Sequence, residues 1–144
     1  MTKKILIKYH DAGMEHCKKI KVGDWIDLRA AETVSLSQFE YKEISLGVSM
    51  KLPRGYEAHI LPRGSTYKKW GIIQANSQGI VDNSYSGDQD IWKFPAIALR
   101  NTTINKNDRI CQFRIMKKMG RVRFILTQFL GRKNRGGFGS TGSV

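Results

Sequence analysis

Ile44-Ser45-Leu46-Gly47-Val48-Ser49-Met50-Lys51-Leu52 alternates apolar and polar residues from end to end. Ile44, Leu46, Val48, Met50 and Leu52 share one face, and Ser45, Gly47, Ser49 and Lys51 share the other. A period of two belongs to a strand buried on one side, because a helix would bring its apolar positions back every three or four residues. Pro53-Arg54-Gly55 turns the chain into a second short strand, Tyr56–Leu61. Lys3–Tyr9, Gly71–Ala75, Ala96–Thr102 and Arg109–Lys117 read the same way, between turns rich in Gly, Asn and Asp. Val122, Phe124 and Leu126 form one more apolar face, opposite Arg121, Arg123 and Ile125. Only Ser65–Trp70 reads as a helical turn, with Ser65 or Thr66 available as its cap. Many short strands at this spacing predict an all-β sandwich, barrel or jelly roll.

The chain has 144 residues, 40% hydrophobic and 26% charged. That suits one domain with a real core and excludes collagen-like, coiled-coil and disordered classes. The expected organisation is a single β domain over residues 1–130 and a mobile arm over 131–144. Five of the 14 arm residues are glycine, and it has little to bury. Ile5-Leu6-Ile7 and the other apolar runs are far shorter than the roughly 18 residues that span a bilayer. Lys8 and His10 interrupt any signal-like stretch near the start. Cys17 and Cys111 stand far apart, so free thiols and a cytoplasmic location are expected.

The formal charge is +13. Nine of the 25 basic residues and none of the 12 acidic ones lie in Arg109–Val144, which leaves only +4 on the first 108 positions. Such a field attracts polyanions, whether a nucleic acid or a nucleotide polyphosphate; a solvated basic surface explains the same numbers.

Four constellations carry chemistry. In Gly79-Ile80-Val81-Asp82-Asn83-Ser84-Tyr85 a short strand delivers a carboxylate onto a turn, where it can take a proton from water. An ordinary Asx turn with a packing tyrosine accounts for the same residues. In the tail, Gly136-Gly137-Phe138-Gly139-Ser140-Thr141-Gly142 follows Arg132, Lys133 and Arg135. Its closely spaced glycines let backbone N–H groups approach phosphates, and Phe138 is placed to stack on a base. It is not a Walker A loop, since no Gly-Lys-Ser/Thr order or following helix is present. Arg63-Gly64-Ser65-Thr66 sets an arginine and two hydroxyls at the helical turn, where anions are favoured. Gln112 places an amide inside the apolar strand Arg109–Phe113, so it faces either solvent or a ligand. His10, His16 and His59 lack metal-ligand spacing, and neither cysteine forms a catalytic dyad with one of them. Trp25, Trp70 and Trp92 read as core or interface anchors.

In this order and spacing the segments resemble the trimeric dUTPase (dUTP pyrophosphatase) family over nearly the whole chain. Gly23–Glu32 looks like the first family motif, Pro62–Thr66 the second, Asn76–Gly87 the third, Asp108–Phe113 the fourth and Gly136–Gly142 the fifth. The Asp-Leu-Arg-Ala-Ala-Glu and Arg-Ile-Cys-Gln-Phe-Arg-Ile wording is most similar to the branch from Gram-positive bacteria and their phages.

The resemblance implies hydrolysis of dUTP to dUMP and pyrophosphate, which keeps uracil out of DNA and supplies dUMP for dTMP synthesis. It implies a homotrimer of jelly-roll subunits whose sites are shared among chains. Asp82 would activate the water that attacks the α-phosphorus, and Tyr85 would lie under the deoxyribose and exclude a 2′-hydroxyl. Asn76 with the backbone of Gly79, Ile80 and Val81 would read the uracil edge. Arg63, Gly64, Ser65 and Gln112 would belong to the phosphate side. Asp27 would help hold Mg2+ through water, the substrate phosphates being the main ligands. The arm would close with Phe138 on the uracil, and with Gly139, Ser140, Thr141 and either Lys133 or Arg135 on the phosphates.

Two positions depart from the family pattern. Gly64 stands where a serine is usual, a loss of about 1–3 kcal/mol if one charge-assisted hydrogen bond goes with it. Ser65 could take its place through a small backbone shift that Gly64 permits. Lys133 stands where an arginine is common, with Arg135 close by. Asp82 and Tyr85 remain, so hydrolysis is the leading reading. A dCTP deaminase-type enzyme shares the architecture but needs an acid–base set that is missing here. A weakly active scaffold that regulates by binding nucleotide, nucleic acid or protein is the alternative function.

Overall fold

The computed structural model describes residues 2–144. Its strands are β1 (Leu6–Tyr9), β2 (Ile26–Arg29), β3 (Val34–Leu36), β4 (Tyr41–Ser45), β5 (Val48–Lys51), β6 (Tyr56–Pro62), β7 (Ile72–Gln74), β8 (Gly79–Val81), β9 (Lys93–Ala98), β10 (Thr102–Ile104) and β11 (Arg109–Lys117). The lone helix, α1 (Thr66–Trp70), lies between β6 and β7. The strands form a four-stranded sheet in the order β2-β11-β6-β8, a three-stranded sheet β4-β9-β7, and two antiparallel pairs, β1-β5 and β3-β10. All pairings are antiparallel. This is the jelly-roll arrangement that the short strands predicted.

The alternating stretch 44–52 buries all five of its apolar residues, but as two strands. Gly47 breaks it at φ 67°, in the left-handed region where a Cβ is disfavoured. A Cβ there would also lie 2.8 Å from the Cβ of Ala31. Upstream, β4 pairs with β9; downstream, β5 turns away and pairs with β1. The core therefore runs unbroken through a corner between sheets, since side-chain alternation survives the change of partner. Ala96–Thr102, expected as one strand, is likewise split into β9 and β10. Trp92 seals the centre at 1% exposure, its ring edge-on to Phe113 with centroids 5.2 Å apart.

The strand expected through Val122–Leu126 is not formed. Residues 118–144 carry no strand or helix, and Phe124 and Leu126 are 94% and 100% exposed. The last pair of β11 is Lys117–Tyr56, and beyond it the chain makes no ladder with any strand. The strand-bearing part thus stops at Lys117, short of the expected boundary at residue 130. Among the described residues both cysteines are free, and no helix is long and apolar enough to cross a membrane.

Gly47→Ala tests the corner. Left-handed strain of about 1–2 kcal/mol and overpacking of about 1–3 kcal/mol should combine to lower stability by about 2–5 kcal/mol. Urea denaturation followed by tryptophan fluorescence measures it.

Candidate active site

The first cleft, about 420 Å³, is walled in part by β8 and the turns on either side of it: Asn76, Gly79, Val81, Asp82 and Tyr85. Gly79 lets β8 press against β6; a Cβ there would meet the Cβ of Ile60 at 3.2 Å and Gln74 Nε2 at 3.1 Å. Tyr85 is tied at both ends, its N–H donating to Asp82 O at 3.0 Å and its hydroxyl to Ile91 O at 3.2 Å. Its ring is thereby held against the cleft. Asn83 anchors the loop from behind, its amide donating to Pro53 O at 2.9 Å and Tyr56 O at 2.7 Å.

Asp82 is exposed to solvent and accepts hydrogen bonds from the hydroxyl and the N–H of Ser84. These two donors, the hydroxyl foremost, hold its pKa below the ordinary aspartate value, with Lys118 adding a smaller effect. All favour the charged form, so Asp82 is a carboxylate at neutral pH and is free to accept a proton.

The second cleft, about 400 Å³, lies at the β2 edge of the same sheet and is lined by Gly23–Trp25, Asp27, Arg63, Gly64, Ser65 and Gln112. Asp27 is bound through both oxygens: Arg63 Nε lies 3.0 Å from one and Arg109 Nη1 3.2 Å from the other. Arg109 reaches it because the β11–β2 register shifts between Arg109 and Cys111, a bulge that re-aims the side chain. Arg63 also donates to Arg109 O at 3.1 Å. Thr66, fully buried, accepts from Arg63 N–H and donates to Ile110 O, both at 2.8 Å, which rivets this loop to β11. Ser65 stands at the N-cap of α1 yet makes no capping hydrogen bond. Its hydroxyl is left unused beside Gly64. Gln112 donates its amide to Pro62 O at 3.1 Å and is half-buried at the cleft wall, so it neither points to open solvent nor sits in the core.

The predicted site residues therefore fall into three groups that one chain does not unite. β6 and β11 stand between the strand bearing Asp27 and the strand leading to Asp82, a separation of about 14 Å at about 4.8 Å per strand. Neither cleft is lined by Lys133, Arg135, Phe138, Gly139, Ser140 or Thr141, and Phe138 is fully exposed. Sequence reading assigned no role to Arg109, Asn83 or Ser84. Arg109 was legible as the residue opening the Gln112 strand; the other two act through loop geometry that no pattern announces. Nor do the residues present fit a metal site of the protein's own. Asp27 is committed to two guanidiniums, and among the described residues no three His, Cys, Asp or Glu side chains come together.

Ser84→Ala removes the largest influence on Asp82. The carboxyl pKa should rise toward its ordinary value, so that protonation on acidification sets in at higher pH; carboxyl carbon NMR titration reads the shift.

A dUTPase family model matches residues 25–142. The chain is 58% identical over 139 residues to the SPbeta prophage-derived deoxyuridine 5′-triphosphate nucleotidohydrolase YosS of Bacillus subtilis, covering 96% of this chain and 98% of that one. It is 37% identical over 123 residues to the deoxyuridine 5′-triphosphate nucleotidohydrolase of Finegoldia magna, covering 81% and 83%. In fold it superposes on a Staphylococcus bacteriophage 80alpha dUTPase G164S mutant with dUpNHpp, with a TM-score of 0.81 at 19% identity, covering 99% and 100%. The dUTPase from Streptococcus mutans gives 0.71 at 16% identity, covering 81% and 98%. The five motifs, the jelly-roll fold and these likenesses agree: the chain belongs to the dUTPase family and is a dUTP-hydrolysing enzyme.

Proposed function

We propose that this enzyme cleaves dUTP between the α- and β-phosphorus in a site assembled from more than one copy of the chain. The observation that carries this reading is the separation just described, with the base and sugar-facing cleft at one edge of a sheet and the arginine-lined cleft at the other. In a homotrimer the Asp82 cleft of one copy faces the Arg63 cleft of the next, and residues 131–144 of a further copy close the site. The exposed Val122, Phe124 and Leu126 support such assembly, because a lone chain leaves that apolar face in water.

Asn76 and the β8 backbone read the uracil edge, and Tyr85 fills the space a 2′-hydroxyl would need. Asp82 takes a proton from water as its oxygen attacks the α-phosphorus; the bond to the bridging oxygen breaks, and pyrophosphate leaves with the electron pair. Arg63 and Arg109, held in place by Asp27, receive the phosphates. The Ser65 hydroxyl supplies the contact that Gly64 lacks. Lys133 or Arg135, with the N–H and hydroxyl groups around Gly139, Ser140 and Thr141, adds donors once the arm closes, and Phe138 covers the uracil. Magnesium enters on the substrate's phosphates, where it neutralises charge. The corresponding location is the cytoplasm, where nucleotide pools lie.

Pyrophosphate release from dUTP, UTP, dCTP and dTTP, with and without magnesium, tests the reading. Fast release from dUTP alone is expected. Asp82→Asn should lower it about 10²–10⁴-fold with dUTP binding retained; undiminished turnover would overturn the base assignment. Asp82→Asn and Arg63→Ala chains should each be inactive alone. Unfolded and refolded together, they should recover part of the activity, because mixed assemblies contain sites that draw both wild-type clefts. No recovery would show that each chain holds a whole site.

A further inference from the structure

The charge that dUTP does not use gathers at one end of the barrel. The turn Arg54-Gly55-Tyr56 and the stretch Lys117–Arg121 enclose a groove of about 530 Å³ between them. Lys118 N–H donates to Gly55 O at 2.9 Å, which extends the β6–β11 ladder one step past the Lys117–Tyr56 pair and sets the groove's width. Strand alternation turns Tyr56 and Lys117 to the same side as the core residues Ala58, Ile60 and Phe113. They lie beyond the rim of that core, so the ring and the ammonium group face the groove. Lys3, just ahead of β1, comes over the Tyr56 ring, its Nζ 5.1 Å from the centroid.

Arg54, Lys117, Lys118 and Arg121 thus line a groove that also holds the Tyr56 ring, and Lys3 lies over that ring. None takes part in an ion pair among the described residues, although seven such pairs occur elsewhere, and no carboxylate lines the groove. Left alone, like charges so placed repel one another; Asp82, outside the groove, offsets part of one of them, Lys118. The groove shares no lining residue with the Asp82 cleft or the Arg63 cleft, so the catalytic reading does not absorb it.

We propose that this groove binds single-stranded nucleic acid, with the phosphate backbone tracked by Arg54, Lys117, Lys118 and Arg121 and a base or sugar resting against Tyr56. A row of cations beside an aromatic surface is how proteins hold single strands irrespective of sequence. The ladder bond between Gly55 and Lys118 makes the floor narrow and concave, suited to one backbone. A flat anionic membrane would need an amphipathic face, which this rim of strand ends lacks. A lone triphosphate would leave part of the charge unpaired.

Fluorescence anisotropy of a labelled 20-nucleotide oligodeoxyadenylate with the full-length protein tests the proposal. Four phosphate contacts predict a slope of about −2.8 in log K against log salt. Arg54→Glu with Arg121→Glu should weaken binding at least tenfold and reduce the slope to about −1.4, with pyrophosphate release from dUTP unchanged. The neutral pair Arg54→Gln and Arg121→Gln should fall between, and serves if charge reversal disturbs folding. Lys68→Glu with Lys69→Glu, an equal charge change on α1, should leave affinity within twofold. Equal weakening by this control would overturn the proposal in favour of net charge alone. Loss of binding on deleting residues 132–144, or displacement of the oligonucleotide by a non-hydrolysable dUTP analogue, would place the strand on the arm or in the nucleotide site and would overturn it too.

Discussion

Strand β11 is paired along both edges, to β2 on one side and β6 on the other, and the rest of the molecule depends on that double pairing. A central strand cannot shift register without moving every side chain to the wrong face, so both neighbours are held at fixed offsets. Gln112 and Arg109 emerge from β11 itself, Asp27 from β2, and the Arg63 loop is riveted to β11 through Thr66. On the far side β6 carries β8, whose end presents Asp82. One hydrogen-bonded ladder thereby sets the distance between the two clefts. Beyond it residues 118–144 form no strand and leave Val122, Phe124 and Leu126 exposed.

The electrostatics divide along the same lines. In the second cleft Asp27 holds two guanidiniums that would otherwise repel each other, so positive charge is concentrated and oriented before any phosphate arrives. In the first, two donors from Ser84 keep Asp82 ionised at the cost of basicity. The third accumulation of charge, around Tyr56, is tied to the Asp82 loop through the amide of Asn83 and through the weak attraction between Lys118 and Asp82.

Much of this was legible in the residues. Alternation identified β6, β7 and β11 nearly to their ends, because one buried face imposes a period of two whatever the partner strand. It could not reveal that Gly47 turns 44–52 from one sheet to another, since both halves bury the same face and the pattern runs straight through. It also predicted a strand at Val122–Leu126 whose partner edge is absent from a single chain. Among the site residues, Asp82, Asn76 and Tyr85 were readable together because one short stretch of chain, the turns on either side of β8, carries them. Asp27 was read toward magnesium, whereas the fold commits it to Arg63 and Arg109, residues distant in sequence and brought together only by the β2–β11 pairing and its bulge.

By itself, then, the sequence determined the strand-rich architecture, the chemistry of each motif and the membership in the dUTPase family, because periodicity, residue type and local spacing are properties of short segments. The tertiary structure alone decided which groups meet. It set Asp27 between two arginines, left the Ser65 hydroxyl without a capping bond, and placed the Asp82 cleft and the Arg63 cleft at opposite edges of one sheet. Those outcomes depend on strand order and register, which are fixed by long-range pairing and the packing of a common core, and no local pattern encodes them.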